Sequence, residues 1–275
     1  VILSGISLQA DRFYYVNPME AIQGVSGKQQ GHRHVLPVRQ KWFQCACCPP
    51  NAARLIASLP EYAFEEKPDS VTVHQYLGGT VELEKAVITL ETDYPWNGLL
   101  KYTIEAKKAF ELRLRIPGWA DRQKISLTLN GKAVEIAPEG YVSLPVGAGT
   151  NTIVLMLPIE PKRSYAHPKV RQAAGCTALS FGPVVYCLEG CDNPEPLWNL
   201  YIDRDAALEV SDYLPDELGG IRWIFADGYQ RIDKEDATLY SGSKPEFQKV
   251  RLNAIPYYAW ANRAPRDMRV WINTR

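Results

Sequence analysis

The stretch Leu112-Arg-Leu-Arg-Ile116 alternates strictly between apolar and charged residues. Successive side chains of a β-strand point to opposite faces of the sheet, so a period of two predicts a strand. Leu112, Leu114 and Ile116 are then expected to face a core, and the two arginines to face solvent. This one segment already indicates a sheet with one buried and one solvated face.

The same period recurs through the middle of the chain. Asn130-Gly131, between two alternating segments, is typical of a two-residue hairpin turn. The expected strands cover residues 71–77, 80–83, 86–91, 100–105, 110–116, 124–130, 141–144 and 152–157. With no helical pattern between them, these strands predict a β-sandwich over residues 65–163.

A second β region follows a proline-punctuated stretch. Residues 158–168 have the composition of a linker or a domain crossing. New strands are expected at residues 178–181, 184–188, 221–226, 247–254 and 268–272. They predict a second β-sandwich over residues 164–275. Within it, Tyr257-Tyr-Ala-Trp260 is interpreted as core rather than as a platform for sugar stacking.

Before residue 65 the pattern is helical. Three thiols crowd into Cys45-Ala-Cys-Cys-Pro-Pro-Asn51, at the expected start of a helix whose first turn contains Pro50. Unpaired N–H groups at a helix start favour thiolate over thiol, and thiolate is both a nucleophile and a zinc ligand. Sulfur chemistry is therefore preferred over inert packing, with nucleophile and metal ligand both open at this stage.

The cysteine motif is an incomplete zinc site by itself. Zinc takes four ligands, and adjacent side chains cannot all converge on one point, so the motif supplies two or three at most. The later cysteines, Cys176, Cys187 and Cys191, are interpreted as core thiols because an apolar strand contains or precedes them. The missing ligands are expected to come from outside this chain.

Composition restricts the class of protein. The 275 residues are 46% apolar, and 31 basic residues balance 31 acidic ones. This balance, with no basic patch, argues against a nucleic-acid partner, and no apolar run suggests a membrane partner. The crowded thiols favour a reducing, cytoplasmic location. Because the chain begins at Val1, we expect it to be part of a longer protein.

Several segments in order resemble glycoside hydrolase family 127, the β-L-arabinofuranosidases. They are Tyr15-Val-Asn-Pro-Met-Glu20, Trp42 to Leu59 around the cysteine motif, Thr92-Asp-Tyr-Pro-Trp-Asn-Gly98, Leu112 to Ala120, Gly182 to Glu189 and Ile255 to Asn262. The resemblance covers essentially the whole chain, but only the C-terminal part of such an enzyme. It implies a mainly β fold: residues 1–64 as the end of a catalytic (α/α)6 barrel, followed by the two β-sandwich domains.

The resemblance also implies a chemistry. It assigns Cys47 as a zinc-bound nucleophile of a retaining glycosidase and Cys48 as a second zinc ligand, with Cys45 and Tyr15 as neighbours of the site. The acid/base glutamate and the remaining ligands lie outside this chain, so the chain alone is expected to be inactive. Its expected partners are an L-arabinofuranose-containing glycan, the missing barrel and a second copy in a homodimer.

Four other residues are candidates for the site. Glu20 is interpreted as a helix-entry or surface carboxylate and His74 as structural. For His32 and His34, a solvated loop and a contact with the sugar are equally supported. The competing hypothesis for the whole chain is a non-catalytic carbohydrate-binding or oligomerisation module, which has no need of a thiolate cluster. A redox or zinc-storage role does not account for the long β region.

Overall fold

Most of the regular structure is β, as the alternating pattern predicts. The computed structural model describes residues 2–31, 33, 35–42, 45–136, 140–232 and 239–275. Two α-helices lie within these ranges, α1 (Ile2–Gly5) and α2 (Cys48–Ala57). Short 3-10 helices cover Leu59–Tyr62, Arg122–Lys124, Arg171–Ala173, Leu197–Asn199 and Tyr257–Ala259. No helix of the described ranges has the length and apolar character needed to cross a membrane.

The strands are short and are numbered in chain order. They are β1 (Glu20–Ala21), β2 (Phe64–Lys67), β3 (Ser70–Val73), β4 (Gly79–Glu82), β5 (Ala86–Glu91), β6 (Leu99–Ala106), β7 (Phe110–Arg115), β8 (Ser126–Leu129), β9 (Lys132–Ala133), β10 (Tyr141–Val146), β11 (Gly149–Met156), β12 (Pro161–Tyr165), β13 (Cys176–Phe181), β14 (Val184–Glu189), β15 (Leu200–Ile202), β16 (Glu209–Val210), β17 (Ile224–Ile232), β18 (Glu246–Pro256), β19 (Met268–Arg269) and β20 (Ile272–Thr274). They belong to two compact units. Ala53–Glu160 is the continuous unit, and Val1–Ala52 with Pro161–Arg275 is the discontinuous unit.

The continuous unit contains two sheets. One has the order β10-β7-β3-β2 and the other the order β4-β5-β6-β11-β8-β9. Their inward side chains form one hydrophobic cluster, which includes Leu112 and Leu114 from the first sheet and Tyr102 and Ile153 from the second. Leu112 and Leu114 are fully buried, whereas Arg115 is exposed, so the predicted alternation is confirmed.

The predicted hairpin is also confirmed. Leu129 pairs with Lys132 across Asn130 and Gly131, whose φ angles of 50° and 77° are the left-handed values that a turn of this type requires. The returning strand β9 is short and ends at Ala133.

The discontinuous unit contains one large sheet. Its strand order is β1-β19-β14-β18-β17-β15-β20-β13-β12, with β16 attached to β17. An additional pairing of β13 with β14 closes a circuit of strands within this order. The predicted strand at residues 268–272 is split into β19 and β20, and the one at 221–226 begins only at Ile224.

The predicted linker at residues 158–168 is wrong over five residues. Pro161–Tyr165 forms β12, which pairs with β13 along its whole length. The strand tolerates Pro161 because β12 is the last strand of the sheet and Pro161 is its first residue, where a missing N–H breaks no ladder. The boundaries predicted at residues 64 and 163 stay predictions, and the units divide at Ala52/Ala53 and Glu160/Pro161.

The interpretation of the later cysteines is confirmed for two of the three. Cys176 and Cys187 are buried, and burial raises the pKa of the Cys187 thiol. Cys191 is exposed, so its interpretation as a core thiol is wrong. It lies past Gly190, after β14 has ended at Glu189, and the apolar pattern of that strand does not extend to it. The core interpretation of Tyr257 and Trp260 is confirmed, since both are buried.

Candidate functional site

The cysteine motif leads directly into helix α2. The helix begins at Cys48, with Pro49 and Pro50 in its first turn, where a proline removes no hydrogen bond and its fixed φ suits the helix. Cys47 immediately precedes the helix and lies at the end where the first N–H groups have no partner within the helix. The sequence prediction of a helix start at this motif is confirmed.

Two thiols of the motif lie close together. The Sγ atoms of Cys47 and Cys48 are 3.5 Å apart, and neither residue is buried. This separation is too long for a disulfide, whose sulfur atoms are roughly 2.05 Å apart. Two thiolates bound to one tetrahedral zinc ion at roughly 2.3 Å would be separated by about 3.8 Å. The pair therefore fits two neighbouring positions around one zinc ion.

The rest of a metal site is not found in the described part of the chain. There, no three His, Cys, Asp or Glu side chains form a group that could hold a metal ion. Cys45 is exposed and does not complete such a group with Cys47 and Cys48.

Polar side chains fix the backbone on both sides of the thiols. The hydroxyl of Tyr15 donates to the carbonyl oxygen of Cys45 at 2.8 Å. The side-chain amide of Asn51 donates to the carbonyl oxygen of Cys47 at 2.7 Å. Tyr15 thus lies beside Cys45, and its hydroxyl binds the backbone of the motif. Asn51 was not singled out from the sequence, although its place four residues after Cys47, one helical turn away, could have indicated the contact.

The other candidates do not join the thiols. Glu20 is exposed in β1, and its carboxylate lies 3.5 Å from Arg269. It is therefore a surface carboxylate in a strand, and it does not lie at the entry of a helix. Nδ1 of His74, the residue after β3, is 2.7 Å from the hydroxyl of Tyr141 at the start of β10, in line with a structural role within the continuous unit. His32 and His34 lie outside the described residues.

Helix α2 has an apolar face that the described chain does not bury. No residue of the helix is buried, and Ile56 is 52% exposed. Trp42, three residues before the motif, is 59% exposed. Both of these large apolar side chains are thus exposed in the described part of the chain.

Comparison with known proteins places the motif in a family. Three family models match successive parts of the chain: the "Beta-L-arabinofuranosidase, GH127 catalytic domain" over residues 1–61, the middle domain of the same family over 70–159 and its C-terminal domain over 161–273. The chain belongs to glycoside hydrolase family 127. The cysteine motif falls in the stretch that matches the catalytic domain.

Relatives in family 127 are similar over nearly the whole chain. It is 38% identical to a non-reducing end β-L-arabinofuranosidase of Bifidobacterium longum subsp. longum, over 98% of the chain and 43% of that protein. A solved structure of a family 127 β-L-arabinofuranosidase from Geobacillus stearothermophilus T6 superimposes with a TM-score of 0.89 and 41% identity, over 99% of the chain and 44% of that structure. A second solved family 127 β-arabinofuranosidase is 33% identical, with a TM-score of 0.86, and the match covers 99% of the chain and 44% of that structure. The chain thus spans less than half the length of these relatives.

Proposed function

We propose that this chain is the C-terminal part of a retaining glycosidase that cleaves β-L-arabinofuranosides, with Cys47 as its nucleophile. The observation that carries the proposal is the pair of accessible thiols, 3.5 Å apart at the start of α2, in the stretch that matches the family's catalytic domain. The names of the relatives support the substrate class.

Cys47 and Cys48 are the residues of this chain that would hold zinc, and the remaining ligands would come from a part of the protein that precedes it. When bound, zinc would keep the sulfur of Cys47 ionised near neutral pH without a base beside it. Asn51 and Tyr15, through their bonds to the carbonyls of Cys47 and Cys45, would hold the sulfur in one orientation.

The reaction has two steps at one carbon. In the first, the sulfur of Cys47 attacks the anomeric carbon and the glycosidic C–O bond breaks; the leaving oxygen takes a proton from a carboxylic acid outside this chain. In the second, water attacks the same carbon, gives a proton to that carboxylate, and the C–S bond breaks with its electron pair returning to sulfur. Each step inverts the carbon, so the product retains the original configuration.

The finer architecture belongs to the same proposal. Residues 1–64 would be the end of an (α/α)6 barrel, and the β units would be the two sandwiches of the family. The unburied apolar residues of α2 support a barrel that continues outside this chain. Because the proposed acid/base and the remaining zinc ligands are in that part, the 275 residues alone would not turn over substrate.

The test is made in the full-length enzyme that the proposal requires. Cys47→Ser should lower turnover of an aryl β-L-arabinofuranoside by at least about 10⁴-fold, because a serine hydroxyl stays protonated where a thiol does not. Cys48→Ser should also lose activity, but in this variant the cause should be loss of bound zinc. Metal analysis of the purified variant measures that loss. Cys191→Ser, which alters an exposed thiol away from the motif, is the matched control and should keep full activity.

A second measurement separates nucleophile from ligand. An arabinofuranose-shaped electrophile is added to the enzyme, and the modified peptide is mapped by mass spectrometry. The label is expected on Cys47. A label on a glutamate, or full turnover in Cys47→Ser, would refute the assignment and favour the reading of this chain as a non-catalytic module.

A further inference from the structure

Arg39 is an unusual residue of the discontinuous unit, because its guanidinium is buried without a carboxylate partner. The residue is 1% exposed, and no ion pair with an acidic side chain is found for it in the described part of the chain. Burial lowers the pKa of Arg39, and removing a charge from water is costly unless its donors are satisfied. A site that retains such a charge is expected to use its directional donors.

The two terminal nitrogens of Arg39 donate to backbone carbonyls from two distant parts of the chain, whereas its buried Nε has no hydrogen-bond partner among the described residues. One terminal nitrogen donates to the carbonyl of Trp260, and the other donates to the carbonyls of Tyr258, at 2.9 Å, and Ser4, at 3.1 Å. The guanidinium also lies over the ring of Tyr14, 4.8 Å from its centre. Arg39 belongs to residues 2–52, the N-terminal segment of the discontinuous unit, and joins that segment to residues 257–262, which we term the anchoring turn.

The anchoring turn is also held by a buried carboxylate. Ala261 has φ of +55°, a left-handed conformation that L side chains rarely adopt, and its N–H donates to the buried carboxylate of Glu189 at 2.8 Å. Glu189 also pairs with Arg263. Two buried side chains of opposite charge, Arg39 and Glu189, thus satisfy backbone groups of one turn, the carbonyls and the N–H respectively.

Further contacts join the anchoring turn to the N-terminal segment. Trp260 is completely buried, and its ring stacks on that of Tyr14, with centres 5.0 Å apart and planes 15° apart. The side chain of Asn262 accepts from the N–H of Leu8 at 2.9 Å, and the hydroxyl of Tyr257 donates to the carbonyl of Pro18 at 2.7 Å. These contacts fix the segment at several points.

The same segment holds the cysteine motif. Phe13 and Gln40 exchange two backbone hydrogen bonds of 2.8 Å, directly beside Tyr14 and Arg39. Tyr15, the next residue after Tyr14, bonds to the carbonyl of Cys45. A continuous path of contacts therefore runs from the anchoring turn through Arg39 and Tyr14 to the backbone two residues before Cys47.

We infer that Arg39 is a positioning residue for Cys47, and that the anchoring turn of the C-terminal strands is the support on which the cysteine motif is aligned. The inference rests on the proposed function only for its effect on turnover. Its structural part, that Arg39 holds the segment beside the motif, stands on the contacts alone. A displacement of about 1 Å at a reacting group can lower a rate roughly 100-fold, so a support far from the sulfur can matter for chemistry.

The structural part is tested by hydrogen exchange on the full-length enzyme. Arg39→Met keeps the apolar bulk but removes the charge and the donors. The peptides that contain the amides of Phe13, Tyr14 and Gln40 should exchange at least tenfold faster than in the wild type. Arg251→Met is the matched control, because Arg251 also contacts an aromatic ring in the same unit but pairs with Asp227 and Glu209 on the surface. It should leave those peptides unchanged.

The functional part is tested by kinetics in the full-length enzyme. Arg39→Met should lower kcat about 10- to 100-fold with KM changed less than about threefold, because substrate contacts remain while the sulfur loses its alignment. If Arg39→Met does not fold, Arg39→Lys keeps the charge but cannot reach separate carbonyls with a rigid fork, and should show the same changes at smaller size.

The outcomes separate the two proposals. Folded Arg39 variants with wild-type exchange and wild-type kcat would overturn the inference, whatever the role of Cys47. Faster exchange with unchanged kcat would also overturn it, because Arg39 would then support the fold and not the nucleophile. Full activity in Cys47→Ser would instead refute the proposed function, while the exchange result would still report whether Arg39 holds the segment.

Discussion

The continuous unit and the N-terminal segment of residues 2–52 are built in opposite ways. In the continuous unit, alternating strands pair with partners and bury their apolar faces in one cluster. In the N-terminal segment, regular structure is limited in the described residues to α1, β1 and the start of α2. Single bonds to the anchoring turn hold it instead, such as that between Leu8 and Asn262, 254 positions apart. Repetition of a pattern stabilises the first region, and individual polar contacts shape the second.

This contrast suggests a division of labour between the regions. Substitutions in the alternating strands should change stability and leave the cysteine motif intact. Substitutions among the exposed single contacts beside the motif, such as that of Asn51, should disturb the motif at little cost in stability. The predictions below test this division, in order of their expected effect on the free energy of unfolding.

The largest effect is expected from Leu112→Ala in β7. Leu112 is fully buried in the cluster of the continuous unit, so truncation should lower the free energy of unfolding of that unit by about 3 kcal/mol. Hydrogen exchange of peptides from residues 53–160 measures it. Leu239→Ala removes the same atoms from a side chain that is 91% exposed and should change nothing. Equal losses in the two variants would contradict the assignment of the core.

Glu66→Gln should have the next largest effect. The carboxylate of Glu66 accepts from the N–H groups of Glu84 and Lys85, both at 3.0 Å, and from the buried ammonium of Lys85 at 3.2 Å. A neutral amide leaves that ammonium without its charge partner, so the continuous unit should lose about 2 kcal/mol at pH 7. Glu65→Gln, on the same strand but more exposed, is the comparison and should lose much less.

The same residue gives a pH dependence. Burial alone would raise the pKa of Glu66, but the bonds from Glu84 and Lys85 outweigh it and hold the pKa below its usual range. A carboxyl whose pKa is lower in the folded state stabilises the fold above its unfolded pKa, and this stability is lost as the pH falls through the folded value. Urea unfolding between pH 7 and pH 3 should show that part of the acid sensitivity in the wild type and not in Glu66→Gln. Identical pH profiles for the wild type and Glu66→Gln would contradict a role of Glu66 in the acid sensitivity.

Gly131→Ala should cost about 1 kcal/mol. Gly131 has φ of +77°, and a Cβ there would meet no neighbouring atom, so the cost comes from backbone conformation alone. Gly140→Ala is the control, because the φ of Gly140 is not in the left-handed region and its surroundings are equally open. Thermal unfolding of the two variants compares them directly, and a Gly140 variant as unstable as the Gly131 variant would show that the turn conformation is not the cause.

The smallest change in stability is expected for Asn51→Ala. Its bond to the carbonyl of Cys47 is exposed, so the free energy of unfolding should fall by less than about 0.5 kcal/mol. Turnover in the full-length enzyme should nevertheless fall about tenfold, because the backbone of the proposed nucleophile loses its support. This is the reverse of the pattern expected for Leu112→Ala. If Asn51→Ala changes neither the free energy of unfolding nor turnover, Asn51 is not part of the site.

The sequence predicts the regions unequally, for physical reasons. Alternation in β7 and the conformation demanded by Asn130-Gly131 are local properties, so their strands and turn could be predicted residue by residue. The start of α2 at the cysteine motif is equally local. β12 was mistaken for a linker because proline punctuates both edge strands and linkers.

What escaped prediction depends on contacts across the chain. Nothing near Arg39 in the sequence indicates that its donors meet carbonyls more than 200 positions away. Likewise, the exposure of Cys191 depends on where β14 ends, which periodicity fixes only to within a few residues. The sequence shows that Cys47 and Cys48 are adjacent thiols, but it does not show which residues hold their backbone.

The division of the discontinuous unit between the two ends of the chain has a consequence for synthesis. The continuous unit has all its strands as soon as Glu160 has left the ribosome. The N-terminal segment, made first, must wait for Trp260 and its neighbours before Arg39 and Tyr14 find their partners. At roughly 5–20 residues per second, that delay is on the order of ten to forty seconds. During it the three clustered thiols are present without their final support.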